Sequence, residues 1–122
     1  MRLPRKQSMT QAEEFARVRK TGHAKAGRFV ILSTLEDHTL DSIHTGFITS
    51  KRSAKKAHDR VLIRRRLRAL VQQHAPDFSE IRRYLVTIAR PGAATATFDE
   101  IAEDWVRQAR RLGLFPRPQE KP

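Results

Sequence analysis

The chain has 122 residues and carries 25 Lys or Arg against 13 Asp or Glu, a net charge of +12. That length suits one domain with a modest core, and that charge calls for a polyanionic partner, since each neutralised phosphate releases condensed counterions. With no cysteine, disulfides and thiolate metal sites are excluded, and no apolar run of about 18 residues or charged-then-apolar segment at Met1 argues for a membrane span or secretion. A cytoplasmic location is expected.

Residues 1–9 carry Arg2, Arg5 and Lys6 around Pro4 without periodicity, and read as a flexible basic arm. Thr10-Gln11-Ala12-Glu13 has capping-box spacing, so a first helix is expected through Lys20, ending at Gly22 in a left-handed cap. Arg28 to Leu35 is rich in β-branched and aromatic residues and predicts a strand. Asp41 to Ser50 predicts another, with Ile43, Thr45, Phe47 and Thr49 facing one way and His44, Gly46, Ile48 and Ser50 the other. The short link between them predicts antiparallel pairing. A long helix is expected from about Ser53 to His74, stopped before Pro76. Arg82 to Arg90 predicts a third strand, and its continuous Leu85-Val86-Thr87-Ile88 centre suits an interior position. Thr97-Phe98-Asp99-Glu100 repeats the capping-box spacing and opens a last helix that stops at Gly113. Residues 10–113 thus form a single domain of order α-β-β-α-β-α, an α+β two-layer sandwich with a small sheet, and 114–122 are expected to fray.

The charge is concentrated in one place. Between Lys51 and Arg68 stand Lys51, Arg52, Lys55, Lys56, Arg60, Arg64, Arg65, Arg66 and Arg68 against the single acid Asp59. Ile63, Leu67, Leu70 and Val71 recur at three- and four-residue spacing, giving the helix an apolar side to dock and a cationic side to present. Like charges four residues apart repel by a few tenths of a kcal/mol per pair, so an unmixed row implies a polyanion that relieves it. Arginine favours forked contacts to phosphate and stacking on bases.

Catalytic constellations are missing. The five histidines, His23, His38, His44, His58 and His74, lack metal-ligand spacing, and there is no Gly-rich phosphate loop. Asp99, Glu100, Glu103 and Asp104 cluster at the start of the last helix, where acids favour the positive end of the macrodipole. Phe15, Phe29 and Phe47 could stack on bases, but core packing is the commoner role, with Phe15 the best exception because Arg17, Arg19 and Lys20 surround it.

These residues together resemble the protein component of bacterial ribonuclease P. Phe15, Val18 and Gly22 match a Phe-x-x-Val-x-x-x-Gly pattern, and Gly46, Phe47, Ser50, Lys51 and Arg52 match Gly-Phe-x-x-Ser-Lys-Lys. Ala57, Arg60, Ile63, Arg64, Arg65, Leu67 and Arg68 fall on the signature Ala-x-x-Arg-Asn-Arg-x-Lys-Arg-x-Leu-Arg in one register. The chain departs from that signature at Val61 and Leu62, which stand where it has Asn and Arg.

The resemblance implies a ribosomal protein S5 domain 2-like fold with a left-handed β-α-β crossover. It implies a subunit that assists Mg²⁺-dependent removal of the 5′ leader from precursor tRNA, with the chemistry and most of the Mg²⁺ in the RNA subunit and no catalytic residues or metal ligands in the protein. Lys51, Arg52, Lys55, Lys56, Arg60, Arg64, Arg65 and Arg68 would contact the catalytic RNA, and Phe15, Arg17, Arg19 and Phe29 the leader. The implied partners are the catalytic RNA and precursor tRNA, with no membrane and no obligate protein partner. The rival reading from charge alone is a small ribosomal or RNA-chaperone protein without a role in cleavage.

Overall fold

The computed structural model describes Met9 and residues 12–116. The elements are α1 (Ala12–Thr21), β1 (His23–Ala26), β2 (Val30–Glu36), β3 (His44–Ile48), α2 (Ala57–His74), a 3₁₀ turn (Ala75–Asp77), β4 (Arg83–Ala89) and α3 (Phe98–Arg111). The four strands form one sheet in the order β1-β2-β4-β3, within a mixed α+β fold.

Two expectations about the sheet are corrected. His23-Ala24-Lys25-Ala26 contains no β-branched or aromatic residue and is exposed throughout, so its sequence carries no strand signal. It becomes an edge strand because β2 supplies the hydrogen-bond ladder, pairing His23 with Thr34 and Ala26 with Ile31. The second correction concerns β2 and β3, which run antiparallel but are not neighbours. β4 lies between them, antiparallel to β2 and parallel to β3. The 37–43 link spans the end of β4, fastened by the Asp37 amide donating to the Arg82 carbonyl at 2.9 Å. As its apolar centre predicts, β4 is buried along nearly its whole length.

The sheet separates two cores. On one face Val30, Leu32, Leu85 and Ala89 meet Ile63, Leu67, Leu70 and Val71 of α2 and Ile101, Trp105 and Ala109 of α3. On the other, Val18 of α1 packs with Met9, Tyr84 and Val86. The apolar spacing of α2 therefore buries the four residues it predicts. Met9 is buried and its amide donates to the Thr45 carbonyl at 2.7 Å, so the end of the expected basic arm is anchored on β3. The rest of that arm, the cap at Thr10 and residues 117–122 lie outside the described residues.

Helix ends follow local chemistry. At α3, Glu100 donates its amide to the Thr97 hydroxyl at 3.1 Å, and the Thr97 amide returns to the Glu100 carboxylate at 2.9 Å, completing the expected capping box. Those bonds also hold the Glu100 carboxyl below its ordinary pKa. Gly113 closes α3 with φ 75°, but Gly22 does not take a left-handed conformation. Gly22 is needed for closeness instead, because a Cβ there would strike the Thr34 and Val18 carbonyl oxygens. Nor does the packed chain end at Gly113. Leu114 is fully buried, and its carbonyl accepts from the Ser79 amide at 2.9 Å. Phe115 packs edge-on against Phe78 and His74.

Asp104 is the one acid of its cluster that turns inward. Its carboxylate accepts the amides of Arg28, Phe29 and Val30 at 3.2, 2.8 and 3.1 Å and the Gln108 side chain at 3.2 Å, tying the β1–β2 turn to α3. Gly27 makes room, since a Cβ there would meet that carboxylate. Asp104→Asn replaces an acceptor-only group with one that directs an NH₂ at buried donors. It is expected to destabilise the protein by about 3 kcal/mol, read as a lower urea midpoint at unchanged m-value.

Candidate nucleic-acid interface

The cationic stretch begins in the loop between β3 and α2. Lys51, Arg52, Lys55 and Lys56 are all exposed there, and α2 starts at Ala57, four residues later than Ser53. Ser53 explains the delay. Its hydroxyl donates to the Ser50 carbonyl at 2.8 Å and accepts the Ser50 amide at 3.0 Å, holding a turn with the group that would otherwise cap a helix starting here.

Along α2, Arg60, Arg64 and Arg68 form a row beside β3. Arg60 Nη1 donates to the carbonyls of Ala54 and Lys55 at 2.9 and 2.8 Å. Arg64 Nη1 donates to Thr49 Oγ1 at 2.6 Å, and Arg68 places its guanidinium 5.3 Å from the Phe47 ring centroid. Every one of these partners is neutral, so among the described residues the row is braced without an acid to cancel its charge. Arg65 is exposed, and Arg66 is turned away from the row, donating to the Ala96 carbonyl at 3.3 Å. Val61 and Leu62 are exposed, at 43% and 38%, where the signature has polar residues.

By contrast, three arginine ion pairs collect at the other end of the sheet, Arg17–Asp37 at 2.6 Å, Arg82–Glu80 at 2.9 Å and Arg83–Glu36 at 3.5 Å, while Arg107 lies 4.0 Å from Asp104 on α3. Hydrogen bonds from Arg82 hold the Glu80 carboxyl at about 2. Among the described residues, no group of three or more His, Asp or Glu is placed to hold a metal ion.

A second surface lies beside α1. Ala12, Phe15, Ala16 and Arg19 line an open groove with Ile48, which is 38% exposed. The Phe15 ring covers Gly46, where a Cβ would collide with it. Ile48 and Ile31 both pair with Ile88, and strand alternation puts the three on this same face, so an apolar strip continues the groove across the sheet. α1 covers Val86 and Tyr84 but leaves Ile31 and Ile88 half-buried.

The four residues expected around the leader are therefore not brought together. Phe15 and Arg19 face the groove, whereas Arg17 reaches Asp37 and lies 5.4 Å from the Tyr84 ring centroid. Phe29 packs into the α2–α3 core, with the Arg28 guanidinium 5.1 Å from its ring centroid. Thr49, Ser53 and Ile48 were not singled out from the sequence. Strand alternation placed Ile48 with Gly46, but nothing local showed that α1 would leave it open.

The fold matches solved bacterial ribonuclease P proteins. Against the Staphylococcus aureus RNase P protein the TM-score is 0.81 at 23% identity, covering 90% of this chain and 98% of that one. Against the Thermotoga maritima protein it is 0.73 at 15% identity, covering 85% and 96%. The sequence goes further than the fold. The Ribonuclease P family model matches residues 3–113. A Syntrophomonas wolfei ribonuclease P protein component is 30% identical over 115 residues, 94% of each chain, and one from Thermus aquaticus is 34% identical over 102 residues, 83% of this chain and 57% of that one. The chain belongs to the ribonuclease P protein family. It is a protein subunit of a ribonucleoprotein that processes tRNA, and among the described residues no helix is long and apolar enough to cross a membrane.

Asp37 reports how Arg17 is used. Its carboxyl is lowered to about 2, first by the Thr39 hydroxyl and amide at 2.6 and 3.0 Å and then by Arg17. A folded-state pKa below the unfolded one adds stability that is present above the unfolded value and lost as pH falls toward 2. In a carboxyl NMR titration, Thr39→Ala and Arg17→Ala should each raise the Asp37 pKa, and neither alone should restore the ordinary value.

Proposed function

We propose that the α2 face and its preceding loop dock on the catalytic RNA of ribonuclease P, while the groove between α1 and the sheet takes the 5′ leader of precursor tRNA. The observation that carries this reading is the braced, uncancelled row Arg60, Arg64 and Arg68, continued by exposed Lys51, Arg52, Lys55, Lys56 and Arg65. Rows of guanidinium groups held by neutral oxygens and a ring are suited to phosphate, because the cation arrives oriented and its charge remains to be matched. The groove offers the Phe15 ring and an aliphatic strip as stacking surface, with Arg19 at its edge for the backbone, a combination that binds single strands without reading their sequence.

In this reading the protein positions RNA and the RNA performs the hydrolysis. Mg²⁺, held mainly by the RNA subunit, would supply the activated water and charge stabilisation. The protein's cations would lower the Mg²⁺ needed by screening phosphate repulsion between the RNA subunit and its substrate.

Precursor tRNA cleavage at low Mg²⁺ tests the assignment. Marked activity is expected only when the protein and the ribonuclease P RNA are combined, and cleavage by the protein alone would refute the division of labour. Arg64→Ala with Arg68→Ala should weaken RNA binding and reduce the slope of log affinity against log salt by about 2. For the groove, Phe15→Ala is expected to cost about 1–3 kcal/mol of affinity for leader-bearing precursor, with no change for mature tRNA in the same filter-binding assay.

A further inference from the structure

The loop from Ser50 to Lys56 concentrates four exposed cations, and α2 begins beyond it without a side-chain cap at Lys56. Mutual repulsion favours splaying such a loop. Two devices oppose it. Ser50 and Ser53 bond reciprocally, and the amides of Ser53 and Ala54 both donate to the Ser50 carbonyl, at 3.0 and 3.1 Å. From one turn into the helix, Arg60 reaches back to the Ala54 and Lys55 carbonyls with a single nitrogen.

An arginine is an unexpected choice for that position. It lies in the first turn of α2, near the positive end of the helix dipole, and beside Lys55 and Lys56, so its charge is unfavourable to the isolated helix. What it contributes is reach, because the two N–H groups of one terminal nitrogen bridge two successive loop carbonyls that a shorter side chain would leave to water. Those carbonyls belong to Ala54 and to Lys55, itself one of the loop's last two cations.

We propose that Arg60 is a positioning residue, pinning the loop so that Lys51, Arg52, Lys55 and Lys56 meet RNA phosphates as one preformed set. This rests on the docking reading above. Ordering the loop before binding removes an entropic cost from the encounter, so the four cations act together and lose their cooperation together. Its role differs from that of Arg64, whose side chain crosses to the Thr49 hydroxyl just past the end of β3.

The test uses the whole chain and Arg60→Gln. In the RNA-free protein, amide exchange at Ser53 and Ala54 should accelerate at least tenfold while Leu67 in mid-α2 is unchanged. Lys55→Gln with Lys56→Gln should weaken binding to ribonuclease P RNA severalfold less in the Arg60→Gln background than in the wild type. Unchanged protection at Ser53 and Ala54, or losses that simply multiply, would overturn the proposal. If Arg60→Gln does not fold, Arg60→Met, which keeps an unbranched stem without any N–H donor, is carried through the same measurements with the same expectations. Absence of RNA binding by the wild type would instead refute the docking reading, and the exchange result would still decide whether Arg60 orders the loop.

Discussion

The parallel pairing of β3 with β4 is the constraint on which the rest of the structure depends. Parallel neighbours cannot be joined by a hairpin, so the chain must leave the end of β3, cross a face of the sheet and return. α2 is that crossing, and its apolar side is buried because it lies over the sheet. The same path places the cationic loop at the end of β3 and the arginine row along its flank. Thr49 and Phe47 can therefore brace Arg64 and Arg68, residues fifteen and more positions further along the chain.

Cationic residues in this protein divide by what holds them. Arg83 is buried, its guanidinium donating to the Glu80 carbonyl at 2.7 Å and the Thr34 hydroxyl at 3.1 Å, and burial pushes its pKa down from the ordinary value. Arg90 donates to the Gly27 carbonyl at 2.6 Å, and Arg17 is matched by Asp37. These arginines close the ends of the sheet. On α2 and its loop the cations are densest, and there Arg60, Arg64 and Arg68 are held by neutral oxygens and a ring. A high count of basic residues is thus a weaker guide to the binding surface than where each of them is placed.

The two sheet faces serve different ends. One is sealed by α2 and α3, with Trp105 fully buried and its ring nitrogen donating to the Thr87 hydroxyl at 3.3 Å. Among the described residues the other is covered by Met9, Leu40 and the ten-residue α1, which leave Ile31 and Ile88 half-buried and Ile48 exposed beside Phe15. A sealed core and an open apolar groove can share four strands because side chains alternate from face to face.

Periodicity by itself determined the buried side of α2, the interior character of β4 and the capping box at Thr97, because each depends on contacts within a few residues or on a face the element must bury. The cationic stretch and the family motifs were equally legible, being local in the chain. Only the tertiary structure decided what depends on neighbours far apart in sequence. β1 exists because β2 offers it an edge, and β4 separates two strands whose short link suggested pairing. Asp104 became a buried lock for the 28–30 amides when its acidic neighbours stayed outside. Phe15 and Phe29 are both partly buried against a core, yet on opposite faces of the sheet, and Phe15 also lines the open groove, a difference set by long-range packing.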